Sequence, residues 1–304
     1  MGPTGIGKTS LAFDLYDKLE VEIISVDSVQ IYKRLDIGSG KPSEGLLKKY
    51  PHKLINRIEP FDSYSSALFE EEALNEICQA SEKNKLPLLV GGTMLYFQSL
   101  FLGLSKMPET DPAIRKKITG QAESLGWKEM HRKLAGIDPD SAKRIHPNDT
   151  QRIQRALEVY ESSLKTLTDW HKENKKEVNP KLLNYKIFQF AIETEDRELH
   201  RENVASRFES MIDEGLVDEV ESILKIKGMN TSVSSMRSVG YRQVCKFLEG
   251  EISFDEMIFK GVTATRQLAK RQMTWLKSWK NLIWLNESSQ DLSQEVLDKV
   301  FNEL

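Results

Sequence analysis

The feature that most constrains this chain is its first ten residues, MGPTGIGKTS. Gly2 to Thr9 read G-P-T-G-I-G-K-T, a full match to the phosphate-binding loop pattern G-x-x-x-x-G-K-[ST]. Gly2, Gly5 and Gly7 let the backbone turn tightly and approach an anion closely. Around Pro3, Thr4 and Ile6 the loop then curls so that successive N–H groups point inward, and the helix that follows offers its positive end. Lys8 is placed to reach an outer phosphate, and the Thr9 hydroxyl to hold Mg²⁺. The expected ligand is a diphosphate or triphosphate, with ATP or GTP as the default. A buried strand normally leads into such a loop. Only Met1 precedes Gly2, so that strand is expected to be missing, and the loop to lose one of its two anchors.

A chain of 304 residues makes one large domain or two ordinary ones. No apolar run is long enough to span a bilayer. The longest candidate, residues 94–104, is broken by Gln98, Ser99 and Gly103. Cys78 and Cys245 stand far apart in sequence and outside any Cys/His cluster, which predicts reduced thiols and no zinc site. With no leader ahead of the loop, a cytoplasmic protein without membrane contact is expected. The net charge of −3 argues against nucleic acid as a partner, but a net value hides local stripes.

Along the chain, Leu11, Leu15 and Leu19 are spaced for one face of a helix over 9–19. The β-branched run 21–27 predicts a buried parallel strand. It ends in Asp27, and ligands of open α/β sheets collect at the carboxyl ends of strands. Asp27 therefore has three readings: a Mg²⁺ ligand through water, a general base, or a cap for the next turn. GSGK at 38–41 is a turn, with only a weak claim to a second phosphate site. Residues 53–60 and 87–93 are further strand candidates, and 66–83 is helical. Gly91-Gly92-Thr93 at a strand end suits close approach to a ligand, or a plain tight turn.

From Pro108 onward the sequence is charged, helical and poor in strand formers through 177. Asp111-Pro112 and Asp138-Pro139 start helices, and 147–149 break the chain before Arg152 and Arg155, which share a helix face. Strand character returns at 184–193. Residues 198–224 are helical with an interruption near Gly215, and 234–244 read as a loop opening into a helix. In 262–280, Arg266, Lys270 and Lys277 fall within about 40° on a helical wheel, with Arg271 beside them and no Asp or Glu between Glu256 and Glu287. Such a stripe suits either solvent or a polyanion. A last strand at 281–287 and a terminal helix follow.

Taken together, GPTGIGKT, ISVDSVQIYKRLDIGSGKP, LLVGGTMLYFQSL, RIHPNDTQRIQRALEVYE, RSVGYRQVCKFLEGEISFDEM and ATRQLAKRQMTWLK resemble the bacterial tRNA dimethylallyltransferases over nearly the whole chain. The resemblance implies an α/β fold with a P-loop NTPase-like core and parallel sheet, formed by 1–109 and 184–304. An inserted all-helical subdomain over 110–183 would clasp tRNA. It implies a monomer that moves a dimethylallyl group from dimethylallyl diphosphate to N6 of the adenosine just 3′ of the anticodon, with Mg²⁺. The loop would then hold a diphosphate rather than ATP. The resemblance makes Asp27 the base, with Lys8, Thr9 and Arg207 on the diphosphate. It assigns RNA contact to Asp27, Ser28, Val29 and Gln30, to Thr93 and to Arg115. It does the same for Gln151, Arg152, Ile153, Gln154 and Arg155, and for Arg237, Ser238, Val239, Gly240, Tyr241 and Arg242. The last such segment is Lys270, Arg271, Gln272, Met273, Thr274, Trp275, Leu276 and Lys277. A bacterial form, without the C-terminal zinc finger of eukaryotic relatives, is expected.

Three rivals are defined by the same residues. A phosphate-loop kinase would explain the loop and Asp27 but not the basic stripe. An adenylate isopentenyltransferase would not need that stripe. A non-catalytic RNA-binding protein would not need Asp27.

Overall fold

The computed structural model describes residues 1–103, 107–109, 111–173 and 178–302. Leu104 of the apolar run, Thr110 and 174–177 of the helical stretch, and the last two residues of the terminal helix region lie outside these. The chain divides into two compact units, Met1–Phe101 with Pro180–Leu304, and Leu102–Asn179.

In the first unit the phosphate loop feeds α1 (Lys8–Lys18), which buries Leu11, Ala12 and Leu15 as the periodicity predicts. β1 (Val21–Val26) follows, buried at five of its six positions. After α2 (Glu44–Lys49), β2 (His52–Lys53) pairs with β1 in parallel. The predicted strand over 53–60 is thus cut to a stub: Leu54 and Asn56 both take positive φ, 58° and 53°, which no strand accommodates. α3 (Ser66–Glu82) and β3 (Leu86–Gly91) complete a three-stranded parallel sheet in the order β2-β1-β3. The register Val26↔Gly91 brings Asp27 and Thr93 out side by side at the carboxyl ends, ahead of α4 (Met94–Leu102).

The second unit is helical: α5 (Pro112–Leu125), α6 (Trp127–Ile137), α7 (Pro139–Arg144), α8 (Thr150–Ser163) and α9 (Leu167–Glu173). Asp111 and Asp138 cap α5 and α7 at the Asp-Pro steps, as read from sequence. Asp138 also accepts from Thr168 N at 3.0 Å, so one carboxylate ties α7 to α9. Ile118, Met130, Leu134, Ile153 and Leu157 form a fully buried centre, each worth roughly 2 kcal/mol in burial.

The chain returns to the first unit through β4 (Phe190–Glu193), shorter than the predicted 184–193. α10 (Arg197–Asp213) and α11 (Leu216–Leu224) are divided at Gly215, whose φ of 99° ends the first helix. α12 (Tyr241–Leu248) precedes α13 (Phe254–Lys277). α13 starts eight residues before the predicted 262, because Ser253 and Glu256 form a capping box there. β5 (Ile283–Asn286) pairs with β4 in a separate two-stranded parallel sheet, and α14 (Leu292–Phe301) packs behind it. α10 and α13 approach closely at Gly261, where any Cβ would run into the Phe208 ring. No helix among the described residues is long and apolar enough to cross a membrane.

Candidate active site

The phosphate loop, the carboxyl ends of β1 and β3, the 38–42 turn, α10 and α13 surround one cavity. Thr4, Gly5, Lys8 and Thr9 form one side of it, and Asp27 and Gln30 lie beside them. Gly38, Ser39, Gly40 and Arg207 line it as well. Val29, Val204, Phe208, Met211, Val239 and Leu268 add an apolar wall. The cavity is therefore an anion cradle joined to a greasy chamber.

The loop has the geometry the motif demands. Gly5 and Gly7 sit at φ of 77° and 89°, and Gly7 caps α1. Its anchoring differs from the expectation of a weakened hold. Ile192 N in β4 donates to Met1 O at 3.1 Å. The Thr4 backbone is held on both sides, its N–H by Gln272 Oε1 at 2.9 Å and its carbonyl by His200 Nε2 at 3.0 Å. Lys8 donates to Pro3 O at 2.6 Å. Burial brings the Lys8 ammonium from 10.5 to about 8; the Asp27 carboxylate pulls it back up, and Arg207 pushes it down again.

Asp27 fulfils the cap reading through one oxygen. Oδ1 accepts from Val29 N at 2.8 Å and Gln30 N at 3.2 Å. Oδ2 carries no hydrogen bond among the described residues. Thr93 Oγ1 accepts from Ser28 N at 3.0 Å, which locks the end of β3 to the turn that holds Asp27. For a cation, Thr9 and Asp27 supply two hard oxygens on one cavity. Among the described residues no group of three or more His, Cys, Asp or Glu forms a ready cage. That donor set fits Mg²⁺, which keeps waters and takes phosphate oxygens from its substrate.

Arg207 is much exposed along its length, but its guanidinium is shut in against Gly40, where a Cβ would collide with Nη2. Desolvation lowers its pKa, opposed by Asp27 and Glu214. The second phosphate site suggested for GSGK loses one of its amides to the protein. Glu219 of α11 accepts from Gly38 N together with Asp36 N and Ile37 N at 2.7–3.2 Å, with Tyr241 Oη donating at 2.7 Å. Lys41 is likewise spent on Tyr32 O, Asp36 and Asn56.

The residues assigned to RNA separate into three groups. Gln30, Val239, Gly240 and Gln272 line the cavity with Asp27, and Ser28 and Thr93 stand beside it. Arg237, Arg242, Lys270, Arg271, Thr274 and Lys277 are exposed. Among the described residues none of Arg266, Lys270, Arg271 and Lys277 makes an ion pair. No local pattern signals that α10 sets Glu198 and Glu202 across the groove from that stripe. In the helical unit Arg115 and Arg155 converge on the fully buried Glu158, at 2.8 and 3.9 Å, with Gln151 and Arg152 exposed beside them. Three assignments need correction. Ile153, Tyr241 and Leu276 have no exposed surface and are core side chains, so none can touch RNA directly. Met273 and Trp275 pack against the main core, which leaves them a mixed role.

A phosphate loop opening a parallel sheet, with a carboxylate and an arginine on the same apolar-walled cavity, defines an enzyme of the P-loop group-transfer class. The IPP transferase family model matches residues 30–279, and that of isopentenyl transferase matches residues 1–58. The structure of tRNA delta(2)-isopentenylpyrophosphate transferase from Staphylococcus epidermidis is 33% identical. It aligns over 100% of this chain and 96% of its own, with a TM-score of 0.69. The Bacillus halodurans tRNA isopentenylpyrophosphate transferase is 29% identical over 99% and 94%, at 0.71. A eukaryotic dimethylallyltransferase acting on tRNA is 26% identical over 99% and 78%, at 0.78. The chain belongs to the IPP transferase family, and it is a prenyltransferase of the tRNA-modifying class.

Proposed function

We propose that this enzyme transfers a dimethylallyl group from dimethylallyl diphosphate to N6 of the adenosine 3′-adjacent to the anticodon, position 37 of tRNA. The observation that carries the reading is a single cavity in which Lys8 and the loop adjoin both Asp27 and an apolar wall. A five-carbon allyl group matches that wall, and a diphosphate matches the cradle. The site has no evident use for the wall if it transfers phosphate.

In the reaction the allylic carbon–oxygen bond breaks, and its electron pair leaves on the diphosphate oxygen. The loop amides, Lys8 and Arg207 meet the charge that develops there. The N6 lone pair forms the new carbon–nitrogen bond. That amine is weakly nucleophilic because its lone pair is delocalised into the ring, so its proton must leave as the bond forms; Asp27 takes it through Oδ2. Thr9 would hold Mg²⁺, whose charge would help to neutralise the diphosphate. The adenosine is splayed out of its loop to enter, and the exposed cations of α13 hold the RNA backbone.

Mass analysis of anticodon stem-loop RNA after incubation with dimethylallyl diphosphate and Mg²⁺ tests this directly. One adenosine should gain a five-carbon unit. Turnover of labelled ATP without prenyl transfer, or transfer to free AMP in preference to the stem-loop, would replace the reading with one of its rivals. The RNA face has its own signature. Lys270→Ala and Lys277→Ala should each weaken stem-loop binding and reduce the slope of log Kd against log salt by about 1. An unchanged slope would return α13 to plain solvated surface.

A further inference from the structure

Gln272 belongs to a segment that the resemblance assigns to RNA, yet both ends of its amide are hydrogen-bonded inside the protein. Oε1 accepts from Thr4 N at 2.9 Å, and Nε2 donates to Gly92 O at 2.8 Å. A backbone N–H can only donate and a carbonyl can only accept, so these two partners fix which end of the amide faces which. The space is reserved for it: a Cβ on Gly92 would stand 2.5 Å from Gln272 Nε2. Gly92 in turn precedes Thr93, which holds the Ser28 N–H in the turn beside Asp27. On its other side the Thr4 carbonyl accepts from the largely buried His200.

We infer that Gln272 is a positioning residue, not an RNA contact: with His200 it clamps the Thr4 backbone and sets the spacing between the anion cradle and the base. The inference rests on the proposed transfer reaction. One side chain spans from the loop that holds the leaving group to the strand end that orients Asp27. Displacing reacting groups by about 1 Å can cost on the order of a hundredfold in rate. A clamp of this kind acts on diphosphate binding and on the chemical step, and leaves the RNA-facing cations alone.

The test is Gln272→Met, which keeps length and removes both hydrogen bonds. His200→Leu releases the carbonyl side of the same residue and stands in if the first variant fails to fold. Single-turnover transfer is measured at saturating donor and stem-loop RNA. Kd for inorganic diphosphate and Kd for the stem-loop across a salt series are measured in parallel. The expected result is a rate lower by about tenfold to a hundredfold and weaker diphosphate binding. Stem-loop affinity and its salt slope should stay within about twofold. Weaker RNA binding with wild-type rate and diphosphate affinity would overturn the inference and make Gln272 an RNA contact. A wild-type enzyme that transfers no prenyl group would overturn the functional reading, and the inference with it.

Discussion

Asp27→Ala will bind anticodon stem-loop RNA and diphosphate but transfer the prenyl group slower by roughly 10²- to 10⁴-fold, the range for loss of a general base. The reason is the division of labour between its two oxygens. Oδ1 is occupied by Val29 N and Gln30 N, so the carboxylate is held rigidly, and Oδ2 is left for chemistry. Asp27→Asn separates the two jobs. It keeps an acceptor oxygen for the two amides and removes the base, so its fold and RNA affinity should match wild type while transfer stays as low as in the alanine variant. A single-turnover assay with labelled donor reads the difference. Transfer by Asp27→Asn within about threefold of wild type would take the base away from Asp27.

Lys8→Ala should lower transfer by about 10²- to 10³-fold, the loss typical of removing one charged or dipolar group from a developing anion. Its pH behaviour is a second handle. Burial holds the ligand-free ammonium near 8. A bound diphosphate favours the charged form and raises that value. Affinity for diphosphate is therefore full below about pH 8 and falls as pH rises above it, with protons taken up on binding. The stability of the ligand-free protein runs the other way. The unfolded chain keeps its Lys8 proton up to 10.5, so between about 8 and 10.5 the unfolded state binds more protons, and this term gains stability as pH rises. Calorimetry of diphosphate binding at pH 7 and pH 9 in buffers of different ionisation enthalpy measures the uptake. Lys8→Ala should remove both trends. Affinity that does not change between pH 7 and pH 9 would show that Lys8 stays out of the anion site.

Much of the cavity's chemistry is legible in the amino-acid sequence. Gly2–Thr9 is a contiguous motif, and contiguity is what a sequence reports best. A simple rule about strand ends places Asp27, and the register Val26↔Gly91 obeys it. The basic stripe of α13 follows from helical spacing alone. Strand ends are less legible. The run at 53–60 looks extended by composition, but Leu54 and Asn56 turn it by taking positive φ, a local conformation that residue type does not announce.

The anion cradle, the carboxylate beside it and the family are all specified by the sequence, because each is written in neighbouring residues or in ordered motifs. How those parts are held, and which neighbours are free, is settled by the folded chain alone. Glu219 lies about 180 residues from the turn whose amides it fills, separations of 181 to 183 in chain position. Gln272 is 268 residues from Thr4 and 180 from Gly92. Ile153, Tyr241 and Leu276 sit in segments that look RNA-facing, yet they point into the core. A hydrogen bond depends on where donor and acceptor meet in space. Pairing across such distances leaves no pattern in either segment, and only the folded chain shows that a glutamine of α13 is hydrogen-bonded to the phosphate loop.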